Sequence, residues 1–529
     1  MANSLSIEKC EIGKLSIVLH AHLPYVKSNE INSLEEDWFF QATLECYMPL
    51  LKEIEYASKI NNSSTKLTLS ISPTLSSMLV NKSLKERFPL WIESRLKILK
   101  EDSKINQNNK NFLLNKLKET IDEWNSCQGD LIKRFRDLNK SGNLDLMTCA
   151  ATHGYLPILR QNKEAVIGQI KTAVREHNRI FKIKPYGIWL PECAYYEDLD
   201  LILNEAGIRY AVLDGHGILN ANPRPRYGVY APICSKNGVA FFGRDTNSTL
   251  PVWSAREGYP GDCSYREFHK DLGWELSLNK LKEYGIPSQR PLGLKLHKIT
   301  NQSSPLGEKD FYNPSEANQK ANEHAIRYLK ERKVQINKII STAGICPSLI
   351  APFDAELFGH WWYEGPVFLR EIFKHSSKYN ILLTNLKEVL SKEPNLQVCN
   401  PSPSSWGKGG FHNYWLNETN SWVVPEITKA GEVFINECSK ELIDNEKLKI
   451  LNQAGRELLL SQSSDWSFIL KAGTTTDLAK DRIKKHLNRF WVLLNSIKLN
   501  KKLDNKFFKF ISEEDNLFPT INIKDWAKN

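Results

Sequence analysis

The chain has 529 residues, 41% apolar and 25% charged, with a formal net charge of +10, a balance typical of folded globular proteins. That length accommodates two to four domains, or one large barrel with additions. No stretch approaches the roughly 18 apolar residues needed to span a bilayer, so no membrane partner is expected.

Met1–Lys14 interrupts its apolar residues with Glu8, Lys9 and Glu11. It lacks a secretory apolar core, and a cytoplasmic chain is expected. Leu15–Leu19 is a predicted strand, followed by a helical pattern over Phe39–Lys59 and a second strand at Leu67–Ile71. Asn81–Lys140 is charged and helix-patterned, with fourteen Lys/Arg against nine Asp/Glu, and is expected to be a helical insertion. Leu144–Cys149 is the next strand, then a helix over Lys163–Phe181 with Val166, Ile170 and Val174 on one face. Strands follow at Tyr186–Leu190 and Tyr210–Leu213, separated by a helix over Asp198–Glu205 that Gly207 ends.

Asn222–Pro305 is rich in Pro, Gly and aromatics and predicts long functional loops with hairpins. Gly293–Leu296, Ser348–Pro352 and Ile381–Thr384 are the later predicted strands, with helices near Ala317–Ile336 and Val367–His375. From about Val424 a helical period takes over, with Leu448, Leu451, Ala454 and Leu458 on one face. Strand–helix alternation of this kind predicts a parallel sheet or (β/α) barrel. The expected organisation is a catalytic barrel from 1–80 and 141–400, a helical insertion at 81–140 and a C-terminal helical domain at 401–529.

Ten cysteines stand singly with no Cys-x-x-Cys pair, which predicts buried thiols rather than a disulfide frame or zinc ribbon. Lys480–Lys506 carries nine Lys/Arg against Asp481 and Asp504, with Leu487, Phe490, Trp491 and Leu494 at helical spacing. That pattern predicts an amphipathic helix with a solvated basic face rather than a nucleic-acid partner.

Polar residues cluster where the apolar runs end. His20 and His22 follow the first strand, His153 the third, Glu192 the fourth, and Asp354 the run at Ser348–Pro352. In a (β/α) barrel the carboxyl ends of the strands share one face, which would bring these five into one cleft. His20 and His22, two apart, point to the same side of a strand and suit either a metal site or a hydrogen-bonding rim for a polar ligand. Glu192 lies between Trp189-Leu190-Pro191 and Cys193-Ala194-Tyr195, and Asp354 follows Ala351-Pro352-Phe353. A charge in such surroundings needs a partner or a task; an ion pair would supply the first. Two carboxyls facing a cleft suit glycosidic chemistry, where one attacks the anomeric carbon and the other protonates the leaving oxygen. Five of the fourteen tryptophans lie between Trp361 and Trp422. Trp422 fits a core position, whereas Trp406, among serines and glycines, has loop composition and suits a stacking contact to a sugar ring. A metal-dependent amidohydrolase-like enzyme is the rival reading of the histidines.

The motifs HAHLPYV (His20–Val26), ATHGYLP (around His153), GIWLPECAYY (Glu192) and APFDAELFGHWWYEGP (Asp354) resemble glycoside hydrolase family 57. The later motifs SSWGKGGFHNYWLNETNSWV and LLLSQSSDWSFI are similar to those of its 1,4-α-glucan branching enzymes. The resemblance runs nearly end to end. It implies an α/β fold: an incomplete seven-stranded (β/α) barrel with a helical insertion and a C-terminal α-helical domain over the cleft. It implies Glu192 as nucleophile and Asp354 as general acid/base. It also implies glucan contacts at Arg266, Trp406 and Asp465, and a loop tyrosine near the cleft that is either Tyr227 or Tyr259; His20, His22, His153 and Trp415 are further candidate glucan contacts. No metal or other cofactor is implied. Donor and acceptor would both be α-1,4-glucan, such as amylose or glycogen, with an amylase-like hydrolase or a 4-α-glucanotransferase as same-family alternatives. Such a reaction keeps the anomeric configuration, which calls for carboxyls about 5–5.5 Å apart.

Overall fold

The computed structural model describes residues 12–30, 32–60, 66–101, 106–254, 257–393, 395–407, 409–440 and 444–528. Most of the N-terminal stretch, Cys10 included, therefore lies outside the described residues. The sheet strands are β1 (Gly13–Ala21), β2 (Leu67–Ile71), β3 (Leu144–Cys149), β4 (Gly187–Trp189), β5 (Tyr210–Leu213), β6 (Ile233–Cys234), β7 (Ala240–Gly243), β8 (Ser348–Asp354), β9 (Ile381–Leu383) and β10 (Gln397–Val398).

Seven of them run parallel in the order β7-β5-β4-β3-β2-β1-β8. The sheet curls toward closure without completing it. β7 and β8 do not pair as strands; instead the Asp245 N–H, just past β7, donates to the Ile350 carbonyl of β8 at 2.9 Å. β1, β2, β3 and β5 are buried almost throughout, as parallel strands covered on both faces must be, which is why their sequences run apolar without a clean alternation. β9 extends β1 in parallel, and β6 pairs with β7 antiparallel and with β10 in parallel.

The predicted insertion forms helices Lys82–Glu101, Gln107–Ser126 and Leu131–Lys140. Several carboxylates tie it to the barrel, with Glu36 pairing with Arg87 (3.0 Å) and Glu55 with Arg134 (2.8 Å). Asp37, on the helix Leu34–Ala42 after β1, accepts from Trp91 Nε1 (2.6 Å) and Arg95 (3.0 Å) of the insertion, and pairs with Arg290 (2.8 Å). From Val423 the chain forms helices Val423–Cys438, Asn445–Ser461, Ser464–Ala472, Thr476–Lys498 and Asn505–Glu514. Thr476–Lys498 buries Ile483, Leu487, Phe490 and Leu494 as its spacing predicts. Its basic side is partly solvated, with Lys480, Lys484 and Lys498 exposed, and partly engaged within the molecule: Arg482 reaches Glu35, Lys485 reaches Glu514, and Arg489 reaches Glu514 and Asp515.

Three expectations are corrected. Gly293–Leu296 is not a strand, because Gly293 sits at φ 76 and the amides of Leu292 and Gly293 are captured by the Asp271 carboxylate. The missing barrel strand is β7, within the stretch read as loops; that stretch also holds the helices Thr246–Trp253, Leu272–Glu275 and Leu278–Glu283. Cys346 is disulfide-bonded, a link no Cys spacing reveals, while eight other cysteines are free. No helix among the described residues is long and apolar enough to cross a membrane.

Replacing Asp37 with alanine strands two buried guanidinium groups and is expected to cost about 3–5 kcal/mol. Thermal or urea unfolding of Asp37→Ala against wild type measures it.

Candidate active site

The carboxyl ends of the parallel strands deliver a compact set of polar side chains. β1 supplies His20, and His22 follows directly after its end; their rings stack at 5.7 Å and 15° on the same side. The turn after β3 supplies His153, stacked on His22 at 3.9 Å and 11°. His153 has φ 56, and Glu192 and Cys193 after β4 have φ 62 and 50. Three consecutive-strand positions thus hold the left-handed conformation that costs a residue with a side chain of order 1–3 kcal/mol. That strain turns Glu192 off the end of its strand.

Glu192 is clamped by the Trp406 segment. The Trp406 indole Nε1 donates to Glu192 Oε2 at 2.9 Å, and the Trp406 backbone N–H donates to the Glu192 carbonyl at 3.0 Å. Ser404 and Tyr195 exchange two backbone hydrogen bonds, 2.9 and 3.2 Å, so this loop is tied to the Glu192 turn rather than hanging free. The Trp406 ring packs edge-on to Trp189 at 5.0 Å and tilted to Trp253 at 5.5 Å. Ser464, at the start of the helix Ser464–Ala472, lies 3.4 Å from Glu192 Oε1.

Burial pushes Glu192 up to about 8. The charges of Asp354 and Asp465 push the same way, against the Trp406 hydrogen bond and His22. Asp354, at the end of β8, is likewise raised well above the ordinary carboxyl range by burial and by Glu356, with Arg244 opposing. Among the described residues the Asp354 carboxyl has no hydrogen-bond donor, whereas Glu192 has one at 2.9 Å. Burial therefore biases both carboxyls toward the acid, with a hydrogen-bond donor opposing it at Glu192 and none at Asp354.

The histidines form a hydrogen-bonded layer. His20 is buried, contacts Ser70 and His153, and stacks on Trp189 at 4.9 Å. His22 bonds Ser72 through Nδ1 (2.9 Å) and both oxygens of Asp465 through Nε2 (3.0 and 3.1 Å). Burial opposes ionisation of Asp465, yet His22 holds it down at about 2. His22, His153 and Asp465 bring their donor atoms within 4.8 Å of one another. The His22 and His153 rings, however, are nearly parallel, so their in-plane lone pairs do not converge on a point between them as tetrahedral coordination requires. The arrangement suits a rim that hydrogen-bonds a polar ligand.

The structure gathers Glu192, Asp354, His20, His22, His153, Trp406 and Asp465. Two of the expected ligand contacts meet protein partners. Arg266 is buried, with its guanidinium 2.5 Å from Glu45 and 3.7 Å from the Tyr363 ring centroid. Trp415 is 1% exposed and stacked on Tyr155 at 4.7 Å. Neither tyrosine candidate touches this group: Tyr259 is buried against His324 at 4.6 Å, and Tyr227 lines a cavity of about 590 Å³ with Ile345 and Ser348, where β8 begins. Sequence reasoning missed Arg244, Glu356 and Ser464. Glu356 accepts from Tyr47 (2.6 Å) and from the His22 backbone (3.0 Å), and burial raises it to about 7. Arg244 follows β7, so recognising that strand would have found it; nothing in the sequence marks Ser464.

A curled parallel sheet with two half-buried carboxyls beside a tryptophan clamp defines a glycoside-hydrolase-type protein. Residues 16–400 match the model of glycosyl hydrolase family 57, and residues 426–526 match that of the C-terminal part of 1,4-alpha-glucan branching enzymes. The chain belongs to glycosyl hydrolase family 57. It is 30% identical to the 1,4-alpha-glucan branching enzyme of Thermococcus kodakarensis, over 96% of this chain and 78% of that one. Its fold is similar to the alpha-amylase AmyC of Thermotoga maritima (TM-score 0.90, 34% identity, 98% and 99% of the two chains covered). It is also similar to the family 57 branching enzyme of Pyrococcus horikoshii (TM-score 0.88, 30% identity, 98% and 97% covered).

Trp406→Phe keeps the ring and removes the indole N–H. Losing a hydrogen bond to the Glu192 carboxyl is expected to lower kcat by about 10- to 100-fold, while KM changes little; steady-state kinetics on amylose measures both.

Proposed function

We propose that the chain is a retaining 1,4-α-glucan branching enzyme with Glu192 as nucleophile and Asp354 as general acid/base. The observation that carries this is Glu192 held by the Trp406 indole beside the raised, undonated Asp354. In the first step a Glu192 oxygen attacks C1 of a glucose unit, the C1–O4 bond breaks, and Asp354 gives its proton to the departing O4. In the second, the 6-hydroxyl of a glucan acceptor attacks C1, its proton passes to Asp354, and the Glu192 carboxylate leaves. Two inversions keep the α configuration. His22, His153 and Asp465 would hydrogen-bond the sugar hydroxyls, and the Trp406 ring would present a face to a neighbouring unit.

Branching rather than hydrolysis is supported by the match of residues 426–526 to the branching-enzyme C-terminal model. The domain reading that goes with it is a barrel from 1–80 and 141–400, an insertion at 81–140, and a helical part from 401 onward that completes the cleft. A cytoplasmic setting is part of this reading, supported by the eight free thiols and opposed by the disulfide at Cys346. Hydrolysis is the second reading, favoured by the 34% identity to an alpha-amylase.

Incubation with amylose, followed by proton NMR for α-1,6 signals beside a reducing-end count, separates the two. New α-1,6 linkages outnumbering new reducing ends are expected; reducing ends alone would make the protein a hydrolase. Asp354→Asn is expected to lose about 10²–10⁴-fold in kcat, and Glu192→Gln to lose both transfer and hydrolysis. With an activated glycoside whose leaving group needs no proton, Asp354→Asn should accumulate a glycosyl ester on Glu192, readable by mass spectrometry of the intact protein.

A further inference from the structure

Four aromatic rings form a row that starts beside the cleft and ends in solvent. Tyr155, two residues past His153, stacks on Trp415 at 4.7 Å and 16°. Trp415 leans against Tyr414 at 6.0 Å and 51°, and Tyr414 stacks on Phe468 at 5.0 Å and 23°. Exposure rises along the row: Tyr155 and Trp415 are buried, Tyr414 is half-buried, and Phe468 is 43% exposed. Core packing accounts for the inner pair. It does not account for the outer end, where Phe468 keeps much of its ring in water at a cost in apolar exposure.

The helix register aims that end. Phe468 lies three residues after Asp465 and four after Ser464 on the helix Ser464–Ala472, so the three side chains share one face. At the first turn this face borders the carboxyl centre, with Ser464 3.4 Å from Glu192 Oε1 and Asp465 on His22. Phe468 stands one turn, about 5.4 Å, further along it.

The stack is also held in place. The side chain of Asn420, 0% exposed, donates to the Tyr414 carbonyl at 3.0 Å and to the Ser467 carbonyl at 3.1 Å. Its Oδ1 accepts from the Asn417 N–H at 2.8 Å. Carbonyls only accept and an amide N–H only donates, so a single orientation of this side chain satisfies all three bonds. The loop and the helix are thus joined at Tyr414 itself and at the residue before Phe468, and the two rings keep their places without a ligand.

We propose that Tyr414 and Phe468 form an outer subsite, an aromatic ledge that seats a glucosyl unit of an α-1,4-glucan chain engaged at Glu192. A pyranose ring has apolar C–H faces and a rim of hydroxyls, and such a face lies flat on an exposed aromatic ring. Asn413 and Glu418, exposed on the same loop, offer polar groups to such a rim. A protein partner needs on the order of 1,000 Å² of contact, far more than two rings present. A chain reaching both the carboxyl centre and the ledge is held at two linked points, which strengthens binding of long chains and leaves short ones unaffected.

The inference rests on the proposed function for the identity of the ligand. Binding is read without turnover in Glu192→Gln protein, by calorimetry with maltoheptaose. Adding Phe468→Leu, which keeps apolar bulk and removes the flat face, is expected to weaken binding by about 3- to 10-fold, the worth of one stacked ring. Adding Phe468→Trp instead should leave the affinity within about twofold of the parent, as a flat face requires. In the otherwise wild-type protein, Phe468→Leu should raise KM on amylose by a similar factor with kcat little changed. On a short activated α-glucoside that cannot reach the ledge, its kcat/KM should match wild type. Maltoheptaose binding that ignores Phe468→Leu, or an equal loss on the short glucoside, overturns the ledge. If Phe468→Leu lowers the unfolding midpoint, Tyr414→Leu makes the same test from the other ring. Failure of the Glu192→Gln protein to bind maltoheptaose at all would refute the proposed function and the ledge with it, whereas binding indifferent to both rings refutes the ledge alone.

Discussion

Everything at the open end of this sheet follows from taking carboxyl groups out of water without giving them a full counter-charge. Raising Glu192 from the ordinary range to about 8 corresponds to about 5 kcal/mol of lost anion stabilisation. A single net hydrogen bond contributes about 1 kcal/mol, or up to 3 when one partner is charged. Trp406 and Ser464 can therefore tune which protonation state prevails, but burial sets the range in which they act. The same burial raises Asp354 and Glu356, and only Asp465, with His22 on both oxygens, escapes it. One environment thus holds carboxyls at different readiness to ionise, as two-step glycosyl transfer requires.

The barrel cannot build that environment alone. Its strands place Glu192, Asp354 and the histidines, but the groups that define the Glu192 carboxyl come from later in the chain. Trp406 arrives on a loop laced to Tyr195 by paired backbone bonds, and Ser464 arrives with its own N–H on the His153 carbonyl at 3.1 Å. Gln462 is held by Gln169 at 3.1 Å, which fixes the start of the Ser464–Ala472 helix against the helix Lys163–Phe181. The regions matched by the two family models, 16–400 and 426–526, therefore meet at one carboxyl group. A small shift between them would change its hydrogen bonds before it changed the fold.

How much of this was legible beforehand depended on the range of the forces involved. β1, β2, β3, β5 and β8 announce themselves because strands buried on both faces must be apolar, and the polar residues that end them mark the cleft. β7 was hidden by brevity: four residues, Ala240–Gly243, among prolines and glycines. Gly293–Leu296 looked like a strand because apolar content is the same whether amides bond a neighbouring strand or the Asp271 carboxylate. Arg266 and Trp415 sit in motifs of polar and aromatic character, but whether such a side chain faces a ligand or a buried partner is decided by residues far away in sequence, Glu45 for one and Tyr155 for the other. Ser464 was beyond reach for the same reason: its meaning lies in contacts to His153 and Glu192, some 300 residues earlier.

The contest between water and a sugar hydroxyl at the glycosyl intermediate is where fold ceases to discriminate. An alpha-amylase and a branching enzyme share this architecture with TM-scores of 0.90 and 0.88, so the fold serves either outcome. Nor can a loosely hinged flap over Glu192 be the difference here, since the Trp406 segment is bonded to the Glu192 turn at Ser404 and at Trp406 itself. The ring beside Glu192 is preformed. Its position is set before any glucan arrives and involves no ordering at the moment of reaction, which favours capture of an oriented acceptor over random attack by solvent. What distinguishes transfer from hydrolysis must then lie in how an acceptor chain is held further out, on surfaces beyond Trp406 that the carboxyls never touch.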